Sequence, residues 1–157
     1  FMSLGAVPAD FHSAPRVRAF LKDPWNYRKV GCVMNMDPHD KPGSHWVGFY
    51  AERPIGLYYY DSYGLEPHPC VKAFFEKLRK MNWLPDSKAI MRCNRTRHQY
   101  SNSECGMFSL IFVIMSVENG RPGDMCKRFL FPRADHLVQR YRERLFVVPE
   151  LEKSCPK

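Results

Sequence analysis

Residues 107–117 are apolar at nearly every position. A helix with that pattern has no solvated stripe, so it predicts a central helix buried on all sides. The polar run Ser101-Asn102-Ser103-Glu104 before it reads as N-terminal capping, and Asn119-Gly120 with Pro122 marks its end. Upstream the period changes. The apolar run 30–36, the segment 45–51 and the aromatic segment 57–61 have strand character. A proline- and glycine-containing loop at 37–43 and a turn at 53–56 separate them, so the three runs are expected to pair antiparallel. Such pairing brings His45, opening one strand, and Asp61, closing the next, to one edge of the sheet, where neighbouring strands lie about 4.8 Å apart.

Val71, Phe74, Phe75, Leu78 and Met81 recur at helical spacing among lysines and glutamate, predicting an amphipathic helix over 69–81 that covers the sheet. A further strand is expected at 89–91, then a polar loop over 94–104, then helices at 125–131 and 135–146. Residues 1–29, punctuated by Pro8, Pro15 and Pro24, read as short helical turns wrapped on a core, with one helix at 16–22 and Trp25 as a packing residue. The result is an α+β chain with one domain over 1–148 and a frayed tail at 149–157.

Composition narrows the function classes. The 157 residues are 45% hydrophobic and 14% aromatic, enough for a sizeable core. The formal net charge of +8 comes from scattered lysines and arginines, which permits phosphate contacts without requiring them. A solvated basic surface is the default. None of the six cysteines forms a C-x-x-C pair, so neither a zinc site nor a dense disulfide framework is indicated, and reduced thiols are expected. No apolar run reaches a membrane span and no secretory signal opens the chain. The first residue is Phe1 rather than methionine, and either a fragment of a longer protein or a chain carrying added residues is expected.

Cys105 falls in the first turn of the central helix, where free backbone N–H groups and the helix dipole favour a thiolate. Alone, it reads as one more buried cysteine, His45 as a structural histidine and Asp61 as a turn residue. Together they supply a thiol nucleophile, a general base and an orienting carboxylate. Gln99 offers an amide that can join the Cys105 N–H as an oxyanion hole, and Gly106 leaves room for a substrate. The histidines at 12, 39, 68, 98 and 136 are assigned surface or structural roles.

These residues resemble the superfamily of the adenovirus protease and the ubiquitin-like-protein (SUMO) specific proteases, papain-like in permuted chain order. The resemblance is carried by Asn35-x-Asp37, Gly43-Ser44-His45-Trp46-Val47, Tyr59-Tyr60-Asp61-Ser62-Tyr63-Gly64, Gln99, and Glu104-Cys105-Gly106-Met107-Phe108-Ser109-Leu110. It implies a mixed or antiparallel sheet flanked by helices, with a buried helix carrying the nucleophile. It also implies Cys105 as nucleophile, His45 as base, Asp61 as its orienting group, Gln99 as oxyanion donor, and Trp46 and Gly106 at the substrate. The texture is most similar to proteases of large DNA viruses. That implies cleavage after glycine or small residues in viral structural precursors, in the virion or in the reducing cytosol or nucleus of an infected cell.

No cofactor is required on this reading, and activation by nucleic acid or a peptide is left open. Cys126 and Cys155 are expected as free thiols, with a disulfide to an activating peptide as the analogy's alternative. The expected partners are a protein substrate and nucleic acid through the basic surface, with no membrane, for a monomer. The alternatives are a SUMO or ubiquitin deconjugase and, outside enzymes, a basic nucleic-acid-binding module.

Overall fold

The computed structural model describes residues 1–85, 89–129 and 133–146. Five strands, β1 (Met2–Val7), β2 (Lys29–Asn35), β3 (Trp46–Glu52), β4 (Gly56–Tyr60) and β5 (Ile90–Cys93), form one sheet in sequence order. The central pairs β2–β3 and β3–β4 are antiparallel, as their hydrophobic pattern and short connections predict, and the outer pairs β1–β2 and β4–β5 are parallel. The sheet is therefore mixed.

Side chains alternate across it. Val47, Phe49 and Ala51 of β3 join Val30, Cys32, Met34, Leu57 and Tyr59 on one face, covered by α1 (Pro15–Lys22) and α2 (Pro69–Lys80). Helix α2 presents Val71, Phe74, Phe75 and Leu78 there, the three- and four-residue spacing of its apolar stripe. Fully burying each such side chain stabilises the fold by about 1.5–3 kcal/mol. On the other face Tyr50 and Tyr60 meet α3 (Cys105–Asn119), α4 (Asp124–Arg128) and α5 (Ala134–Leu145). Helix α3 lies so close to β3 that a Cβ on Gly48 would stand 3.1 Å from the Ser109 carbonyl oxygen. A larger residue there would push α3 or the Phe112 ring outward by a few tenths of an ångström.

Five sequence expectations change. Residues 2–7 do not form helical turns but β1, because a parallel partner, β2, takes up their backbone groups. Trp25 is not a packing residue: it is 52% exposed, with the Arg53 guanidinium 5.0 Å from its ring centroid. Trp83 does the packing instead, fully buried and donating to the Pro24 and Tyr27 carbonyls. The polar run 101–104 does not cap α3 through side chains; Glu104 occupies the cap position and bonds elsewhere. The strand expected at 89–91 runs over Ile90–Cys93, set by its pairing with β4. The 125–131 helix is α4, ending at Arg128, and residues 130–131 of that expectation lie outside the described residues. The expected tail at 149–157 and Cys155 also lie outside them. The left-handed Gly120 ends α3 as anticipated. Among the described residues no helix is long and apolar enough to cross a membrane, and no group of three or more His, Cys, Asp or Glu is arranged to hold a metal.

Candidate active site

The β3–β4 register pairs Gly48 with Tyr60, so the residue before β3 and the residue after β4 meet at one sheet edge. His45 and Asp61 are those residues. The His45 Nε2 lies 2.9 Å from Asp61 Oδ1, with the imidazole 11% exposed and the Asp61 side chain fully buried. The same ring interacts with the Cys105 thiol, and with Nε2 engaged by Asp61 it is Nδ1 that remains for the sulfur. Four residues separated in sequence thus become two contacts on one imidazole and a neighbouring amide: His45, Asp61 and Cys105 converge, and Gln99 lies in the loop alongside.

The imidazole is held from three sides. Tyr63 stacks on it with ring centroids 4.8 Å apart, the partner the strand register would give His45 if it ran on two residues past Asp61. Asp61 is fixed through its backbone: its N–H donates to Asn94 Oδ1, and Asn94 Nδ2 donates to its carbonyl. Its Oδ1 also accepts from the Tyr63 N–H at 2.8 Å, while its buried Oδ2 has no partner among the described residues. Gly64 completes this turn at φ +75, where a Cβ would collide with the Arg95–Thr96 backbone. An L side chain is excluded there on both counts.

Electrostatics follow from these contacts. Burial alone would pull the His45 pKa down, but the bonds to Asp61 and then Cys105, with their charges, outweigh it and raise it to about 9. Burial pushes the Cys105 thiol up, and the His45 hydrogen bond, backbone bonds from Trp46 and Gly106 and the imidazolium charge bring it below its ordinary value. Both shifts favour an imidazolium–thiolate pair. The Ser109 hydroxyl, donating toward the Trp46 and Cys105 carbonyl oxygens, ties the first turn of α3 to the start of β3.

Gln99 is fully buried, with Oε1 accepting from Ser62 Oγ at 2.6 Å and Nε2 donating to the Ser101 carbonyl at 2.7 Å. Its N–H and that of His98 both bond the Ser62 carbonyl, stitching the Gln99 loop to the turn after Asp61. His98, given a structural role from sequence, is buried; burial lowers its pKa, and its Nδ1 shares a hydrogen bond with Tyr60 OH. Trp46 and Gly106 face each other, with the indole 3.7 Å from where a Gly106 Cβ would stand. They line a cleft of about 340 Å³ with Val33, Met107, Leu110 and Phe146. A cavity of about 400 Å³ on the β4–β5 side, with Arg92, Arg121 and Lys127 at its walls, contains none of the candidate catalytic side chains.

Sequence reasoning missed Asn94, Ser62, Tyr63 and Ser109. Tyr63 and Ser62 sit inside the quoted motif, yet only the strand register shows which groups they touch. Nothing local marks Asn94, which acts across the sheet edge.

No protein-family model matches the chain. It is 31% identical over 133 residues to a protein of Acanthamoeba polyphaga mimivirus that carries the name of a thiol protease, covering 79% of this chain and 43% of that one. It is 28% identical over 93 residues to a cysteine protease of African swine fever virus, covering 57% of this chain and 34% of the relative, and other isolates' versions are named SUMO-1 cysteine protease. The chain thus spans less than half the length of these relatives. A crystal structure of the African swine fever virus protease superposes with a TM-score of 0.71 at 18% identity, over 92% of this chain and 59% of that one. The chain is a homologue of viral thiol and cysteine proteases and has the fold of the African swine fever virus protease.

Proposed function

We propose that this chain is the catalytic unit of a cysteine endopeptidase with Cys105 as nucleophile. One observation carries the reading: a single imidazole hydrogen-bonded to a buried carboxyl group and coupled to a thiol at the start of a buried helix. His45 holds the proton of the pair, and the Cys105 thiolate attacks the scissile carbonyl carbon. The carbonyl oxygen takes the negative charge and is met by the Cys105 N–H and the Gln99 amide, whose nitrogen keeps one hydrogen on the Ser101 carbonyl and turns the other, directed at Tyr63 OH at 3.4 Å, to the oxyanion. His45 then protonates the departing amine as the C–N bond breaks. Water, deprotonated by the neutral imidazole, attacks the acyl carbon, and breaking of the C–S bond releases the acid and regenerates the imidazolium–thiolate pair. Asp61 keeps the ring aimed throughout. The chemistry needs no cofactor.

The narrow space between Trp46 and Gly106 supports cleavage after glycine or small residues. The viral relatives support structural-precursor proteins as substrates, in the virion or infected cell. The name SUMO-1 cysteine protease carried by relatives supports a second reading, a deconjugase for a ubiquitin-like modifier. The net charge of +8 supports an accessory contact with nucleic acid by the monomer, measurable as salt-dependent DNA binding and altered turnover.

Incubation with small-residue peptides and with a panel of ubiquitin-like conjugates separates the two readings. Peptide turnover supports the endopeptidase, and conjugate cleavage without peptide turnover replaces it with the deconjugase. If Cys105 reacts with a thiol probe no faster than the other cysteines and neither substrate class is cleaved, both readings are lost.

A further inference from the structure

The loop between Gln99 and Cys105 carries both groups proposed to meet the oxyanion, yet its own sequence, Tyr100-Ser101-Asn102-Ser103-Glu104, contains nothing that stiffens a backbone. Tyr100 is 48% exposed, and Asn102 and Ser103 are exposed. Beyond the Arg97 guanidinium, which donates to the Gln99 carbonyl at 2.7 Å and lies over the Tyr100 ring, the loop is held from α5, a helix more than thirty positions downstream. Asp135 Oδ2 accepts from the N–H groups of Tyr100 at 2.9 Å and Ser101 at 3.2 Å, and its Oδ1 accepts from the Ser101 hydroxyl at 2.8 Å. The Ser101 carbonyl oxygen is in turn the acceptor for Gln99 Nε2. Farther along the same helix, Arg142 donates through Nε at 3.2 Å and through its terminal nitrogen at 2.9 Å to Glu104 Oε2.

Glu104 is nearly buried, its side chain 8% exposed, and directly precedes the nucleophile. Asp135 and Arg142 are two helical turns apart, so they project from one face about 10.5 Å from each other. Between them Val138 and Tyr141 pack into the cluster that contains Met107 and Phe108 of α3. The helix is therefore anchored to the body of α3 and grips the loop at both ends through charge-assisted bonds, the strong class of hydrogen bond.

We infer, on the protease reading above, that α5 is a splint for the oxyanion loop and that Asp135 and Arg142 are positioning residues for Gln99 and Cys105. Neither touches the reacting atoms. Asp135 sets Ser101, and Ser101 sets the Gln99 amide; Arg142 sets Glu104, and with it the entry into α3. The His45–Asp61 pair is supported independently, by Asn94 and Tyr63. The Asp135 arm of the splint thus acts on turnover without acting on thiol ionisation.

The test compares Asp135→Ala, Asp135→Asn and Arg142→Met with the unmodified chain, reading kcat, KM, the alkylation rate of Cys105, and amide hydrogen exchange at Tyr100 and Ser101. In Asp135→Ala, kcat falls roughly 10- to 100-fold, the scale of a small misplacement of catalytic groups. KM and the alkylation rate stay as they were, and exchange at both amides accelerates. Asp135→Asn restores kcat, because its amide oxygen accepts the two N–H groups and its nitrogen donates to the Ser101 hydroxyl. Arg142→Met also lowers kcat, and because it leaves the buried Glu104 carboxylate unpaired beside the nucleophile and alters a wall of the Trp46–Gly106 cleft, it slows Cys105 alkylation and shifts KM as well.

Unchanged kcat in Asp135→Ala, or an asparagine variant as impaired as the alanine one, overturns the inference. So does a loss of alkylation in Asp135→Ala that parallels the loss of kcat, which would mark general unfolding. Should the unmodified chain cleave nothing, the protease reading fails while exchange still decides the splint. Faster exchange at Tyr100 and Ser101 in Asp135→Ala then supports it, and unaltered exchange overturns it.

Discussion

Phe49 and Tyr50 are neighbours on β3, and the two faces they enter are built for different ends. Phe49 meets Phe11 and Phe74 at ring-centroid distances of 5.7 and 5.3 Å, on a face sealed by α1 and α2 whose buried members are almost all apolar. Tyr50 enters the other face, and its hydroxyl donates to the buried Glu52 carboxylate. Along that face and its adjoining edge lie His45, Asp61, Asn94, His98, Gln99 and Glu104, all buried and each with at least one hydrogen bond or ion pair. One face stabilises; the other spends some of that stability on polar groups that must be held in fixed directions. Substitutions should therefore separate stability from chemistry according to the face they alter.

The largest separation is expected at Cys105→Ala. Peptide turnover should fall on the order of 10⁴-fold or more, as when a nucleophile acting as part of a unit is removed. The melting temperature should stay close to that of the unmodified chain, because the half-buried thiol fills little core. Substantial residual turnover, by whatever variant of the assay, would refute the assigned nucleophile. Phe74→Ala reverses the pattern. Removing a fully buried ring from the α2 face should cost about 3–5 kcal/mol of unfolding free energy in denaturant titrations, with Cys105 alkylation unchanged while the chain is folded. A slower alkylation in the folded state would mean that the two faces are coupled.

A smaller and sharper effect lies in the pH profile. Turnover requires protonated His45 with ionised Cys105, and the two titrate as a pair. As pH rises through about 9 the raised His45 pKa is crossed, the imidazolium loses its proton and activity declines. As pH falls below the depressed Cys105 value the thiolate is protonated and activity is lost on the acid side. Asp61→Asn keeps an acceptor for the ring but removes the charge that raises His45, so the alkaline limb of kcat/KM should move to lower pH. An alkaline limb that stays near its original position would show that Asp61 does not sustain the pair. The smallest effect is expected at Trp25→Ala. Its indole is half exposed and contacts Arg53 across 5.0 Å, so stability should change by no more than about 0.5 kcal/mol. A multi-kilocalorie loss would restore Trp25 to the core.

Much of this architecture was legible in the pattern of residues. The buried helix at Cys105–Asn119, the amphipathic α2 and the antiparallel β2–β3–β4 meander are local signals reinforced over many positions. The meeting of His45 and Asp61 was also legible, because a tight connection between antiparallel strands fixes which ends coincide. Strand β1 was not. Six residues with Gly5 inside them have no strong preference of their own, and a parallel neighbour more than twenty residues away decided the matter. Trp25 and Trp83 look alike as isolated letters. Only packing buried one and left the other in water.

Periodicity and residue chemistry alone determined a sulfur at the start of an apolar helix and an imidazole and a carboxyl group on adjoining strand ends, since each depends on short-range geometry. Tertiary structure decided that Asn94 grips Asp61 and that the Gln99 amide rests on Ser101. It also decided that a helix near the far end of the described chain holds the loop before Cys105 through Asp135 and Arg142. Hydrogen bonds between distant segments leave no period in a sequence. They exist only after the hydrophobic faces have brought those segments together.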